Sequence, residues 1–305
     1  MSEHQLLGPG PEFDRVRAIL AALGERGAPS GDDCALIPIG GQLLAVSTDI
    51  SVEGVHFKTE WLSFEEIGYR STAAALSDLA AEGADPHGVL VALGCPRTAT
   101  DAEAAAVMKG AGLAAEAAGT VVVGGDLTSA TGWTVAVTVL GTAARPVTRA
   151  GGKVGDRLYV TGDLGGAKAA LDAWLAGRAP DPAARRRFVH PEPRIAAGRV
   201  LARTATAMLD LSDGLAADVR HLAAASHCGA EIDLDKVPLG PGVPEARAAA
   251  EGGEDYELLV ALPPDAAPPL LDVKLTEVGR LVAGDGVAFL QQGARVSLQG
   301  FQHFR

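Results

Sequence analysis

The chain has 305 residues, of which 48% are hydrophobic and 21% are charged, a composition typical of a folded protein and not of a disordered one. Its formal net charge of −12 argues against nucleic-acid binding, because phosphate backbones select basic surfaces. The charge does not exclude nucleotides, since bound Mg²⁺ can invert the local field.

The cysteines and the apolar runs indicate the cellular compartment. Cys34, Cys95 and Cys228 are far apart and form no C-x-x-C pair, which argues against a zinc site and a disulfide framework. The N-terminus has no apolar signal core, and no apolar run approaches the ~20 residues that span a bilayer. We therefore expect a cytoplasmic protein that binds no membrane.

The first half of the chain alternates between helical and strand patterns after a loose tail that ends near Pro11. In chain order we expect a helix over 12–23, a strand over 43–47 that ends at a corner at 48–49, helices over 64–81 and 101–118, strands over 88–93 and 120–123, a break at 124–126 and a strand over 133–140. Thr100 is a candidate N-cap of the helix over 101–118. Such alternation predicts an α/β or α+β layer.

A polar, glycine-rich stretch at 147–156 predicts a junction between two domains, 1–147 and 148–305. In the second half we expect strands over 157–161, 207–211, 230–234, 256–262 and 275–281, with helices from 165 and over 213–225.

Carboxylates recur at polar or glycine-rich breaks that follow apolar runs. Six such breaks lie at 31–33, 47–49, 76–78, 124–126, 210–214 and 252–255. A strand or helix that ends at each break would deliver its carboxylate to a shared surface. Mg²⁺ takes oxygen ligands and commonly bridges one or two carboxylates to substrate phosphates. The pattern therefore favours a site that holds several metal ions and a nucleotide.

Asp78 is the carboxylate that is hardest to explain structurally. It lies in the apolar segment 73–81, where an unpaired buried carboxylate would be costly. A structural ion pair with Arg70, the nearest basic residue in the sequence, is one explanation. Metal ligation is the other, and the sequence favours it.

The remaining motifs have structural alternatives. Asp32 and Asp33 would suit an Asx turn, the 124–126 motif would suit a hairpin turn, and Ser212 would suit the N-cap of a helix whose N-terminus attracts anions. His56 could contact an anionic substrate when protonated, and Glu254 could pair with a substrate amine. The sequence contains no P-loop and no protein-kinase motifs, so any phosphate chemistry must depend on metal ions.

Taken in order, the motifs resemble the thiamine-monophosphate kinase family. They are GDDCA at 31–35, STD at 47–49, GVHF at 54–57, LSDLAAEGADP at 76–86, GGD at 124–126, HPEPR at 190–194, LDLSDGL at 209–215 and GGEDYEL at 252–258. The resemblance runs from about Glu12 to the C-terminal 300–304. Several of the motifs are specific to this family, and others are shared with its superfamily, which includes aminoimidazole ribonucleotide synthetase and selenophosphate synthetase.

The resemblance implies an enzyme that transfers a phosphoryl group from ATP to thiamine monophosphate and uses several Mg²⁺ ions. It implies an α+β fold with two α/β-sandwich-like domains and a homodimer in which the N-terminal sheets pair to form a barrel. The implied metal ligands are Asp33, Ser47, Thr48, Asp49, Asp78, Asp126, Asp210 and Asp213; the implied ATP contacts are Gly125, Asp126, Arg149 and Ser212; the implied substrate contacts are His56, Glu254 and Phe301.

The acceptor in such a reaction is a phosphate monoester with a second pKa of about 6, so it is largely ionised and needs no strong base. We therefore expect direct transfer, with no covalent nucleophile on the protein. Two alternatives remain open: aminoimidazole ribonucleotide synthetase activity, and a metal-binding protein without catalysis. Selenophosphate synthetase is disfavoured because the tail has no reactive cysteine.

Overall fold

The computed structural model describes residues 10–27 and 31–300, and its regular structure is organised around two β-sheets. The helices are α1 (Pro11–Leu23), α2 (Phe64–Ala81), α3 (Asp101–Ala117), α4 (Gly166–Leu175), α5 (Pro182–Val189), α6 (Ile195–Leu201), α7 (Leu215–Ala225) and α8 (Ala246–Glu251), with 3₁₀ turns at Gly24–Arg26 and Leu234–Lys236. The strands are β1 (Ala35–Ile39), β2 (Gln42–Val52), β3 (Asp85–Pro96), β4 (Val122–Ala130), β5 (Thr134–Ala143), β6 (Arg157–Thr161), β7 (Ala207–Asp210), β8 (Gly229–Asp233), β9 (Leu258–Leu262), β10 (Leu275–Val282), β11 (Val287–Gln291) and β12 (Ala294–Val296).

The first sheet has the strand order β1-β2-β5-β3-β4 and is antiparallel except for the β3–β4 pair. Its two faces differ, as the alternation of β5 illustrates: Val135, Val137 and Val139 are fully buried under α2, and the residues between them are half-buried on the other face. Ile37, Ile39 and Ile50 lie on this second face and are between 44% and 57% exposed. We call it the open face. Within the described residues, no helix covers it.

Helix α2 is the element on which the rest of the fold is assembled. Ser63 and Glu66 form a capping box that fixes its first turn. The helix is alanine-rich and buried along most of its length, since it packs against the first sheet, α3, α6 and β7. Gly68 faces α3 so closely that a Cβ there would lie 1.8 Å from the carbonyl oxygen of Val107, so only glycine permits this approach.

The second sheet has the strand order β12-β11-β8-β10-β6-β9-β7, with a parallel β8–β11 pair and antiparallel pairs elsewhere. The mixed α/β architecture with two sheets agrees with the fold class that the sequence indicates. Buried side chains of the second half, among them Phe188 and Met208, belong to the same hydrophobic core as the first sheet and α2. The chain therefore brings its two halves into direct contact, and the division at residue 147 stays a prediction.

Two of the expected strand ends are wrong. β2 continues through 48–49 to Val52 because every residue of 43–52 pairs with β5. β4 continues through 124–126 to Ala130 because its glycines pair with β3 as ladder residues and form no turn. By contrast, α2 begins and ends at the expected residues, and α3 begins after the expected N-cap, Thr100. Strands β1, β11 and β12 were not expected from the sequence.

Candidate active site

A cleft of about 510 Å³ lies between the two halves of the chain. Its lining comes from β2, the loop after β2 and α2 on one side, and from β7, the start of α4 and the 251–256 loop on the other. The lining residues are Asp49, Ile50, Ser51, His56, Ala74, Asp78, Lys168, Asp210, Ser212, Asp213, Glu251, Gly253, Glu254, Tyr256, Gln299 and Gly300. The volume suits a small organic ligand.

Three carboxylates from distant parts of the chain converge at this cleft. Asp33 lies in the loop before β1, Asp78 in the fourth turn of α2 and Asp210 at the end of β7. One oxygen of each lies within 4.8 Å of the others. An oxygen-only set of this kind suits a hard cation such as Mg²⁺. The sequence predicted each of these three residues as a ligand, and the fold brings the three together.

The electrostatics of this cluster favour a bound cation. Burial and the neighbouring carboxylates raise the pKa of Asp78 and Asp210 well above the usual range. Burial also raises the pKa of Asp33. Burial, Glu254 and Asp33 raise the pKa of Asp49 to about 6. A protein that keeps several carboxylates in mutual repulsion gains most when a divalent cation neutralises them.

The predicted ligands of β2 lie on two different faces of the first sheet, because successive side chains of a strand point in opposite directions. Ser47 and Asp49 lie on the helix-covered side, where the hydroxyl of Ser47 donates to a carboxylate oxygen of Asp78. Thr48 lies on the open face, where its hydroxyl contacts that of Thr138 at 2.9 Å. The side chain of Thr48 is therefore not part of the carboxylate cluster.

Asp126 is also separated from the cluster. In the ladder it lies opposite Ala92, in a row that continues through Ala136 to Ile50 on the open face. β4 is three strands from β2, roughly 14 Å at the usual strand spacing. Gly125, its neighbour, is equally exposed. Within one chain, neither residue reaches the carboxylates of the cleft.

Arg149 forms ion pairs with the two adjacent aspartates of the 31–33 motif. Its guanidinium pairs with Asp33 and lies 3.4 Å from Asp32, and its backbone N–H donates to Asp32 at 3.0 Å. The side chain is 11% exposed. Arg149 therefore neutralises part of the cluster directly, and the nucleotide contact that the resemblance implies for it stays a prediction.

The loop 252–256 holds Glu254 in a defined position. The backbone N–H of Glu254 donates to the carbonyl oxygen of Ser212 at 2.7 Å. The loop lies so close to Ser212 that a Cβ on Gly253 would be 2.5 Å from the same oxygen. Glu254 and Tyr256 both have positive φ, of 71° and 52°, which is unfavourable for these residue types. The backbone of the loop is therefore locally strained in the conformation that places the side chain of Glu254 at the cleft.

Two side chains fix the carboxylate of Glu254. The guanidinium of Arg70 pairs with it, and the hydroxyl of Tyr256 donates to it at 2.6 Å. Arg70 is itself held by the carbonyl oxygen of Phe188 at 2.6 Å and stacks on that ring at 3.8 Å. The structural alternative for Asp78, an ion pair with Arg70, is therefore wrong.

His56 and Lys168 place nitrogen donors at the cleft. The Nδ1 atom of His56 accepts the backbone N–H of Val52 at 3.1 Å, which leaves the proton of a neutral ring on Nε2. The ammonium group of Lys168 lies 2.6 Å from Asp172 on α4. Lys168, Tyr256 and Gln299 line the cleft, but the sequence analysis gave none of them a role. Tyr256 lies inside the GGEDYEL motif, and Lys168 and Gln299 lie in no motif that the sequence analysis singled out.

The strand-to-helix turn after β7 differs from the expectation. α7 begins at Leu215 with Gly214 as its N-cap, and no side chain caps it, so the structural alternative for Ser212, an N-cap, is wrong. Ser212 and Asp213 instead line the cleft. Phe301 lies outside the described residues.

Two family models match the chain. That of the N-terminal domain of AIR synthase related protein matches residues 31–143, and that of its C-terminal domain matches residues 153–290. Thiamine-monophosphate kinase of Halobacterium salinarum is 37% identical over 302 residues, which cover 94% of this chain and 99% of the relative. The chain belongs to the thiamine-monophosphate kinase family.

Solved structures of this kinase family have the same fold. AaThiL complexed with AMPPCP and TMP is 32% identical, covers 96% of this chain and 97% of that chain, and superposes with a TM-score of 0.88. Thiamine monophosphate kinase from Aquifex aeolicus is 30% identical, covers 93% of this chain and 98% of that chain, and has a TM-score of 0.83. Among the described helices of this family member, none has the length and apolar character needed to cross a membrane.

Proposed function

We propose that this protein transfers the γ-phosphoryl group of ATP directly to thiamine monophosphate, with Mg²⁺, to give thiamine diphosphate and ADP. The observation that carries the proposal is the convergence of Asp33, Asp78 and Asp210 beside a ligand-sized cleft. The membership of the thiamine-monophosphate kinase family supports it, as does the AaThiL structure complexed with AMPPCP, an ATP analogue, and TMP.

The residues of the cluster fit Mg²⁺. All three donors are carboxylates, and the Oδ2 atom of Asp33 is buried with no hydrogen-bond partner among the described residues. We assign Asp33, Asp78 and Asp210 to the metal ions, with Asp49 beside them and Ser47 holding Asp78. When bound, Mg²⁺ neutralises the phosphates and aligns donor and acceptor.

The protein itself supplies orientation. The acceptor phosphate is already ionised near neutral pH, so no side chain has to remove a proton from it. His56 and Lys168 offer donors to anionic oxygens at the cleft. Glu254 offers a fixed negative charge to the positively charged thiazolium ring of the substrate, because Arg70 and Tyr256 prevent its carboxylate from turning away.

The open face supports a dimer of this chain. It presents Ile37, Ile39 and Ile50 to solvent on an otherwise well-packed sheet, and a sheet normally buries its apolar faces. We propose that two copies pair through this face, in the barrel that the sequence resemblance implies. Since Thr48 and Asp126 lie on the same face, they would then act at the interface.

In this proposal, Asp126 binds metal ions in the cleft of the partner subunit and not in the cleft of its own chain. Asp126 of the partner subunit would complete the ligand set of one cleft, together with the backbone at Gly125. The N-terminal domain, 1–147, would thus hold metal, nucleotide and the dimer contact, and the domain 148–305 would complete the site.

The direct test is a turnover assay of the purified protein with ATP, Mg²⁺ and thiamine monophosphate, with the products separated by chromatography. The proposal requires one thiamine diphosphate for each ADP. ADP release without thiamine diphosphate, or covalent phosphate trapped on the protein during turnover, would contradict it.

The dimer proposal has its own test, because two inactive variants should complement each other. Asp78→Asn and Asp126→Asn chains are co-expressed with different tags and the mixed dimer is isolated. One of its two clefts then has both intact aspartates, so it should recover about half of the activity of the wild-type dimer. If Asp126 acted within its own chain, the mixed dimer would be as inactive as either parent.

The open face is tested by Ile50→Asp, which places a charge at its centre. We expect monomers in light scattering at micromolar concentration. As a matched control, Leu175→Asp changes an aliphatic residue that is 65% exposed at the end of α4, and it should remain dimeric. A wild-type protein that is monomeric throughout would contradict the pairing.

A further inference from the structure

A second cluster of metal-binding side chains lies on the other side of the 211–214 turn. Asp213 belongs to that turn, and Asp218 and His221 follow one helical turn apart on α7. One ligand atom of each lies within 4.8 Å of the others. This cluster differs from the cleft carboxylates because it contains an imidazole nitrogen.

Two of the three side chains are buried. Asp218 is 4% exposed and His221 is 7% exposed. The Nδ1 atom of His221 is buried and has no hydrogen-bond partner within residues 10–27 and 31–300. The ring of Phe13 covers the imidazole at a centroid distance of 4.2 Å. A buried ring nitrogen without a partner beside two carboxylates is a costly arrangement unless something binds there.

The turn is held in a conformation that keeps the two carboxylates together. The backbone N–H of Asp213 donates to the Oδ2 atom of Asp218 at 3.1 Å. Two ligands of one first-row ion are at most about 4.2 Å apart, because each metal–ligand bond is about 2.1 Å. Atoms within 4.8 Å of one another therefore need only small side-chain rotations to reach this spacing.

We propose that Asp213, Asp218 and His221 form a second metal site, which takes a first-row transition ion such as Zn²⁺ or Mn²⁺. An imidazole nitrogen with two carboxylates suits such ions better than it suits Mg²⁺, which prefers oxygen ligands. Asp213 lines the cleft, so the ion would enter from there and keep a coordination position open towards it. The site does not depend on the kinase activity, because it is defined by binding alone.

The test uses Co²⁺ as the probe, on metal-free protein in saturating Mg²⁺, so that sites made only of oxygen ligands are occupied. Bound Co²⁺ is counted by equilibrium dialysis with elemental analysis, and its visible absorption reports the ligand field. We expect one Co²⁺ per chain that Mg²⁺ does not displace. His221→Ala should weaken Co²⁺ binding at least tenfold and remove the absorption band.

The matched control is His227→Asn, which removes an exposed histidine just after α7 and tolerates the local φ of 53°. It should bind Co²⁺ like the wild type. Asp218→Asn is the second variant, since its amide oxygen can still accept from Asp213 if the imidazole replacement impairs folding. Complete displacement of Co²⁺ by Mg²⁺ in the wild type, or equal binding by both variants and the wild type, would overturn the proposal.

Discussion

Two regions of this protein contain buried carboxylates, and they differ in whether basic side chains neutralise those carboxylates. In the second half, Glu257 is 1% exposed and accepts hydrogen bonds from Arg187, Arg194 and Thr161 at 2.6–3.0 Å. At the cleft, Asp49, Asp78 and Asp210 form no ion pair with a basic side chain among residues 10–27 and 31–300, and Asp33 has only Arg149.

The difference indicates which carboxylates are structural. The chain can compensate a buried carboxylate fully where its purpose is to hold the fold, as the two arginines at Glu257 demonstrate. A buried charge without such compensation costs several kcal/mol, so the excess of negative charge at the cleft has to be balanced from solution. In the function that we propose, divalent cations bound to the substrate phosphates supply that balance.

The largest effect should come from Asp78→Asn. The substitution keeps an acceptor for the hydroxyl of Ser47 but removes a charged ligand. Because metal ions contribute several kcal/mol of charge stabilisation in phosphoryl transfer, we expect turnover to fall by about 10³-fold or more. The metal-free variant should be more stable to heat than the wild type, since the repulsion is reduced.

The control for Asp78→Asn is Asp265→Asn, an exposed aspartate outside the site. It should change neither turnover nor the thermal midpoint. An Asp78→Asn variant that is inactive and also less stable would indicate a structural carboxylate, like Glu257, and would remove the contrast between the two regions.

Glu257→Gln should give the opposite result. It leaves Arg187 and Arg194 without their shared counter-charge, so we expect the free energy of unfolding to fall by roughly 3 kcal/mol. Urea unfolding followed by circular dichroism measures this. Addition of Mg²⁺ should still stabilise the variant, and a loss of Mg²⁺-dependent stabilisation would place Glu257 with the cleft carboxylates.

Tyr256→Phe should have a smaller and more selective effect. It removes one hydrogen bond to Glu254, worth about 1 kcal/mol, and so should raise the KM for thiamine monophosphate about fivefold with little change in kcat. Tyr159→Phe is the matched control, because that hydroxyl donates to Glu277 at 3.2 Å outside the cleft. Equal effects of the two substitutions would contradict a role for Glu254 in substrate binding.

The smallest expected effect is on the pH dependence of stability. The pKa of Asp49 is raised to about 6, so its protonated form is favoured by folding and its contribution to stability is lost as the pH rises from about 4 through 6. We therefore expect the free energy of unfolding of the metal-free protein to fall over this interval. Mg²⁺ should restore the loss above pH 6, because it binds the ionised form. Thermal midpoints from pH 4 to 8, with and without Mg²⁺, test this, and a midpoint that rises with pH in metal-free protein would contradict it.

Much of the site could be predicted from the sequence because its residues sit in short motifs with a strong chemical meaning. Asp78 stands out in an apolar helix, and Asp210 follows an apolar strand; both lie where expected. The ends of α2 were predictable because the capping residues and the glycine after it are local signals.

Features that depend on pairing between distant segments could not be predicted. The predictions that β2 ends at Thr48 and that β4 breaks at Gly125 were wrong. The length of β2 is set by its pairing with β5, and the length of β4 by its pairing with β3. The same ladders place Thr48 and Asp126 on the open face. The pairing of Arg149 with Asp33 joins residues 116 positions apart, and no local pattern indicates it.

The central claim is that the cleft carboxylates hold Mg²⁺, and isothermal titration of Mg²⁺ into metal-free protein in the presence of AMPPCP tests it most directly. The wild type should bind more than one Mg²⁺ per chain, and Asp78→Asn should bind fewer while it still binds the nucleotide analogue. Equal Mg²⁺ stoichiometry and affinity in the two proteins would contradict the account.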